Sequence, residues 1–117
     1  MKEIHIDAEI IDPVSLSPLD INTILDSVLK TKRLMVIDNA WMTCGAGAEI
    51  VAQLIERNIP RDVVIKRMGF ASVPCPTTPA LEQHFYPDAK EIALNAYQML
   101  FSGKRASQPD TELQIEE

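Results

Sequence analysis

Cysteine, histidine, glycine and aromatic residues are all scarce in this chain, and each scarcity closes off a class of function. The 117 residues include two cysteines, two histidines, four glycines and only 5% aromatics. Cys44 and Cys75 form no CxxC pair, and neither His5 nor His84 has a second His or Cys three or four residues away, so the spacing of a zinc site or a dithiol redox motif is missing. Both thiols are expected to be reduced, because a chain with 46% hydrophobic residues can build a core without a disulfide staple. No apolar run approaches the roughly 18 residues of a membrane span, and the N-terminus lacks the basic-then-apolar order of a secretory signal. The expectation is a soluble, cytoplasmic protein with no membrane partner.

Basic clusters are missing too. Residues 1–105 carry all 11 basic groups and 13 of the 17 acidic ones, a balance of −2, and the remaining −4 of the net charge of −6 lies in the last twelve residues. A nearly balanced body without a Lys/Arg patch has no electrostatic footprint for nucleic acid. The length suits one domain with a single core. Residues 1–103 are read as that domain. Residues 104–117, with four acids and only two large aliphatics, are read as an acidic tail, disordered by composition.

What is present is an alternation of strand-like and helix-like runs, the pattern of a mainly parallel sheet built from βαβ units. A first strand is expected at about Ala8–Ile11, ended by Asp12-Pro13. Asp20 is placed to cap a helix whose apolar stripe is Ile21, Ile24, Leu25, Val28 and Leu29. Leu34-Met35-Val36-Ile37 is apolar without alternation, as in a strand covered on both faces. A second helix is expected from about Gly47, with Ala48, Val51, Ala52 and Ile55 on one face and Ile50 and Leu54 widening it. Val63-Val64-Ile65 reads as a third strand followed by Lys66-Arg67. The segment from Gly69 to Pro87 contains Pro74, Pro76, Pro79 and Pro87 and reads either as a rigid irregular surface loop or as an interface. Asp88 and Glu91 then open a last helix with Ile92, Ala93, Ala96, Tyr97 and Leu100 on its apolar face, ended at Gly103.

The residues from Val36 to Ile50 concentrate the chemistry. A strand runs into Asp38, then into a loop with the single tryptophan, Trp41, and Cys44, and then Gly45-Ala46-Gly47 opens a helix. In open α/β sheets, ligands and partners sit at this carboxyl end of the strands. Glycines before a helix suggest a phosphate cradle. The dinucleotide fingerprint, however, needs a third glycine where Ile50 stands and a tighter turn than Asn39 to Cys44 allows. The glycines are better explained by close approach of the helix start to the sheet or to a neighbouring chain. Trp41 either plugs the core or anchors a partner. Cys44 lies near a helix N-terminus but has no local histidine to make it a nucleophile. Glu49 is accounted for by the dipole of its helix, and Asp38 is free to pair with Arg67 or to cap the loop. No Ser-His-Asp order and no paired-acid arrangement can be assembled.

Several of these motifs together resemble a known family. Pro18-Leu19-Asp20, Thr31-Lys32-Arg33-Leu34, the Trp-x-x-Cys-Gly-x-Gly-Ala-Glu run from Trp41 to Glu49, Pro76-x-x-Pro79-x-Leu81-Glu82 and Pro87-Asp88 look like the C-terminal domain of the beta subunit of thiamine-diphosphate-dependent 2-oxo acid dehydrogenases. The wider group is the transketolase C-terminal domain, and the likeness covers roughly residues 6 to 102. The resemblance implies a three-layer α/β/α domain that serves assembly and holds no cofactor itself; thiamine diphosphate and Mg would belong to other domains of the full enzyme. It implies as partners a second copy, an upstream thiamine-binding subunit or domain, or an acyltransferase core. Trp41, Cys44, Gly45, Gly47, Glu49, Pro76 and Pro79 are then the candidate interface residues. No catalytic, cofactor-binding or metal-ligating residue is expected in this chain.

Two departures stand out. Val14 occupies a position where many relatives carry arginine, and the chain has only Lys2 to Asp7 ahead of its first expected strand, where the family's domain opens with a further strand and helix. An N-terminally shortened sheet of three strands would leave an unpaired edge, which invites self-association or a required partner. The alternative to a piece of a decarboxylating dehydrogenase is a stand-alone interaction module of the same fold.

Overall fold

Helix α1 (Ile21–Thr31) starts where the chain supplies an acceptor for its free N–H groups, as seen in the computed structural model, which describes residues 5–102. The Thr23 amide donates to Asp20 Oδ1 at 3.2 Å and the Thr23 hydroxyl donates to Asp20 Oδ2 at 2.6 Å. These bonds, the hydroxyl's first, hold the Asp20 carboxyl below its ordinary 3.8. A carboxyl with a lowered folded-state pKa contributes stability that is present above its unfolded pKa and is lost as pH falls through the folded one. Asp20→Asn keeps a capping acceptor but removes the titration. The expected outcome is that the drop in urea midpoint from neutral pH to below 3.8 is smaller in the variant than in the parent chain.

At the other end of α1, Lys32 adopts a left-handed φ of 59° and its N–H donates to the Val28 carbonyl at 2.8 Å. The Lys32 carbonyl in turn accepts from Val64 N–H at 3.0 Å. One residue therefore ends the helix and starts the sheet. Strand β1 (Arg33–Trp41) leads through helix α2 (Ala46–Glu56) to strand β2 (Val64–Phe70), which is parallel to β1. Arg33 lies opposite Val64 and Ile37 opposite Met68; an irregularity then precedes the pairing of Trp41 with Phe70.

The core lies on one face of this sheet. Ile21, Ile24 and Val28 of α1 and Ile50 and Leu54 of α2 form a buried cluster, and Leu34 and Val36 of β1 pack against it. Strand side chains alternate between faces, so Arg33 points to the opposite side. There its Nε donates to the Met99 carbonyl at 3.0 Å and its Nη2 to the Leu100 carbonyl at 3.3 Å. Both acceptors belong to helix α4 (Ala89–Ser102), whose Met99 is buried. The short helix α3 (Pro79–Glu82) precedes it. Helices thus lie on both faces of a small parallel sheet, the expected α/β/α layering.

Several boundaries and faces differ from expectation. Ala8–Ile11 is not a strand, and among the described residues the sheet has two strands. Ile10 is 91% exposed, and Asp12 Oδ1 accepts from Val14 N–H to form a local turn; without apolar cover on its outer side, pairing would not offset the entropy of ordering the segment. Lys66 and Arg67 lie inside β2 rather than after it. Only Ile50 and Leu54 of α2 are buried, whereas Ile55 and Ala52 are exposed. In α4 the inner face is Ile92, Ala96, Met99 and Leu100, while Ala93 and Tyr97 face outward. The Asp88 cap is in place, accepting from Glu91 N–H at 2.7 Å. The helix end expected at Gly103 and the tail 104–117 lie outside the described residues.

Candidate functional site

Both strands run out at the same end of the sheet, and aromatic residues collect there. Trp41, the last residue of β1, packs edge-on against Phe70 at the end of β2 (centroids 5.8 Å apart, 85° between planes) and against Phe85 (5.7 Å, 80°). Phe70 lies 4.5 Å from Phe85 and 5.2 Å from Tyr86. Such edge-to-face contacts place the positive ring edge over a negative face and add to simple burial. Phe85 is 3% exposed and Trp41 is 47% exposed. Trp41 therefore lies outside the main core: one edge closes a satellite cluster and the rest of the ring is exposed.

The loop after Trp41 is held by close backbone approaches and by one long side chain. A Cβ on Gly45 would lie 2.0 Å from the Trp41 carbonyl oxygen, and one on Gly69 would lie 2.6 Å from the Ala40 oxygen. Gly47 sits against Val36, whose Cγ1 is 3.3 Å from where a Cβ would be. Arg67 reaches out of β2 to donate from Nη1 to the Met42 carbonyl at 2.8 Å. It forms no ion pair with Asp38. Cys44 takes a left-handed φ of 59° just before Gly45, the N-cap of α2, and its thiol is exposed. Glu49 is exposed in the first turn of α2 and accepts from Gln53 Nε2 at 2.8 Å.

The proline segment joins the same end through two contacts. Ala71 N–H donates to the Phe85 carbonyl at 3.1 Å. The neighbouring Cys75, with some help from burial, pushes the Tyr86 phenol above its usual range. The Cys75 thiol donates to the Pro76 carbonyl at 3.7 Å, and Pro79 is the first residue of α3. Of the seven candidate residues only Trp41 is itself in the aromatic cluster; Cys44 and Gly45 lie in the loop that follows it, Gly47 and Glu49 at the start of α2, Pro76 in the proline segment and Pro79 at the start of α3. Phe70, Phe85, Tyr86 and Gly69 complete the cluster and were not anticipated. The signal was available in Phe70 ending an apolar strand and in the adjacent Phe85-Tyr86, two of the few aromatic positions in the chain.

This arrangement has little capacity for chemistry. The cavity beneath the loop, lined by Val36, Asp38, Gly47 and Arg67 among others, measures about 10 Å³, room for no more than about one water. The approach space that glycines would offer to a diphosphate is filled by Trp41 and Val36. This loop therefore leaves no room for a diphosphate. Among the described residues no three His, Cys, Asp or Glu side chains converge on a metal position, and no helix is long and apolar enough to cross a membrane.

The transketolase C-terminal domain family model matches residues 1–92. The chain is 36% identical over 101 residues to the beta subunit of acetoin:2,6-dichlorophenolindophenol oxidoreductase of Bacillus subtilis, a match covering 86% of this chain and 30% of that protein. It is 37% identical over 100 residues to the corresponding subunit of Cupriavidus necator, covering 85% and 30%. A third relative is the mitochondrial pyruvate dehydrogenase E1 component subunit beta of Saccharomyces cerevisiae, 37% identical over 93 residues, covering 78% and 25%. The chain spans less than a third of the length of these relatives.

Proposed function

Because the chain belongs to the transketolase C-terminal domain family, we propose that it is the C-terminal assembly domain of a thiamine-diphosphate-dependent 2-oxo acid dehydrogenase beta subunit, inactive by itself. The observation that carries this reading is Trp41, half-exposed on a platform of packed aromatics at the carboxyl end of the sheet. Large aromatic anchors set in a rigid surround are the residues on which interfaces concentrate their binding energy. The glycine-locked loop keeps Trp41, Cys44 and Glu49 in place before a partner arrives, which lowers the entropy cost of docking.

In this scheme the partner is an upstream thiamine-binding domain or subunit. Thiamine diphosphate, bound there with Mg, would supply the carbanion chemistry of decarboxylation. This chain supplies position: the Trp41 platform, Pro76 and Pro79 fix how the two bodies meet. A second copy across the same platform, or the acyltransferase core, would use the same rigid surface.

Trp41→Ala tests the assignment. The aromatic cluster is separate from the Leu54 core, so the variant is expected to remain folded by far-ultraviolet circular dichroism. It should nevertheless lose at least about tenfold in affinity for the thiamine-binding partner in a co-purification or titration assay. Reconstituted with that partner, the parent chain should support dye reduction dependent on a 2-oxo acid. Undiminished binding by a folded Trp41→Ala chain would refute the docking surface. Binding without turnover on any 2-oxo acid would leave an interaction module of the same fold.

A further inference from the structure

Helix α4 carries a second stripe that its own domain does not cover. Lys90, Leu94, Tyr97 and Phe101 follow one another at intervals of four, three and four residues, the spacing of a helix face that packs along another helix. At about 100° per residue the four fall within an arc of about 60°, centred about 145° round from Ile92, Ala96, Met99 and Leu100. Those last four line the groove beside β1 and the stripe does not, so its exposure is independent of what fills that groove. Leu94 is 57% exposed, Tyr97 36% and Phe101 50%, and Lys90 is exposed as well. The rings of Tyr97 and Phe101 pack on each other with centroids 4.7 Å apart, and among the described residues no ring contact joins them to the Trp41 cluster.

The order of residues along the stripe identifies its complement. It opens with a cation, closes with an aromatic ring and has two large apolar side chains between. Laid against itself in the reverse direction, about a two-fold axis passing between Asn95 and Ala96, it sets Leu94 over Tyr97 of the second copy and Lys90 over Phe101 of the second copy. Each contact then occurs twice, as an isologous interface requires. An ammonium over a ring face is attracted by it, and the two inner layers bury apolar surface. A parallel pairing would instead bring Lys90 onto Lys90, which is repulsive.

We propose that α4 pairs antiparallel with α4 of a second copy of this chain through these four layers. About three turns of helix bury less than the roughly 1,200 Å² of a standard interface, so the dimer is weak and forms with rising concentration. The contact uses none of the residues of the Trp41 platform and stands or falls separately from it.

The test uses the full chain at about 0.15 M salt, where long-range repulsion between chains of net charge −6 is screened. Sedimentation velocity should show the parent chain passing from monomer to dimer as concentration rises. Leu94→Glu and Tyr97→Lys each place one uncompensated charge in a layer and should weaken the dimer at least about tenfold. An equimolar mixture of the two variants should form a 1:1 complex tighter than either variant alone, because the new carboxylate of one chain then faces the new ammonium of the other. Both positions are exposed, so both variants are expected to be folded by circular dichroism. Lys90→Glu, an acid in the first turn where the helix dipole favours it, should also weaken the dimer and decides the matter if either of the others does not fold. A monomer at every concentration would overturn the proposal, since the stripe would then serve a different polypeptide. So would a dimer untouched by these variants or lost in Trp41→Ala, or a mixture no tighter than its components.

Discussion

Leu54→Ala is expected to lower the stability of this domain by about 2–5 kcal/mol, the range for truncating a buried leucine to leave a cavity. Leu54 is fully buried, and its cluster on the α1 and α2 face of the sheet contains, among the described residues, five buried side chains, all aliphatic. A cavity there is bordered by the other four and by Leu34 and Val36, so little surface is available to collapse into it. Ile55→Ala, one residue on, is the internal control. Ile55 is 59% exposed, and its truncation should change stability by no more than about 0.5 kcal/mol. Urea unfolding followed by tryptophan fluorescence measures both. Similar midpoints for the two variants would place the core of α2 on the wrong face.

Gly45→Ala carries the second large effect, and its cause is contact rather than conformation. The backbone at Gly45, with φ −84° and ψ 169°, is open to any residue. The added methyl would stand 2.0 Å from the Trp41 carbonyl oxygen, and because the obstacle is backbone, the loop itself has to move. A cost at the upper end of overpacking, about 3 kcal/mol, is expected, with loss of the near-ultraviolet dichroism of Trp41. Gly47→Ala makes the contrast. There the nearest atom is a side-chain methyl at 3.3 Å, and alanine inside α2 recovers about 1 kcal/mol of helix propensity. The two terms nearly cancel, so Gly47→Ala should change the urea midpoint little and leave the Trp41 signal intact. If the two variants behave alike, the Gly45 contact is not what holds the loop.

These pairs also show what could be read from the sequence and why. Helix positions and caps were legible because they depend on neighbours: Asp20 and Asp88 sit three residues before the amides they accept from. The faces of α2 and α4 were harder, because in apolar-rich helices the side that is buried depends on the angle of docking. Val51, Ala52 and Ile55 satisfy helical spacing as well as Ile50 and Leu54 do. The failure of Ala8–Ile11 to form a strand has a different origin, since a strand is defined by its neighbours and no local pattern contains them. At the candidate site the glycines were ascribed to close approach of the helix start to the sheet or to a neighbouring chain, and Gly45 and Gly47 do lie close against Trp41 and Val36 of β1. The aromatic platform was missed because Phe70, Phe85 and Tyr86 meet Trp41 only once β2 and the proline segment are in place.

The two bonds from Arg33 to the carbonyls of Met99 and Leu100 span 66 and 67 positions of chain. They fasten the C-terminal turn of α4 to the first residue of β1, while the buried aliphatic cluster on the other face is drawn from α1 and α2. Local openings follow the distribution of buried contacts, so the amides of α4 are expected to exchange faster than those of α1 and α2, which share the buried cluster.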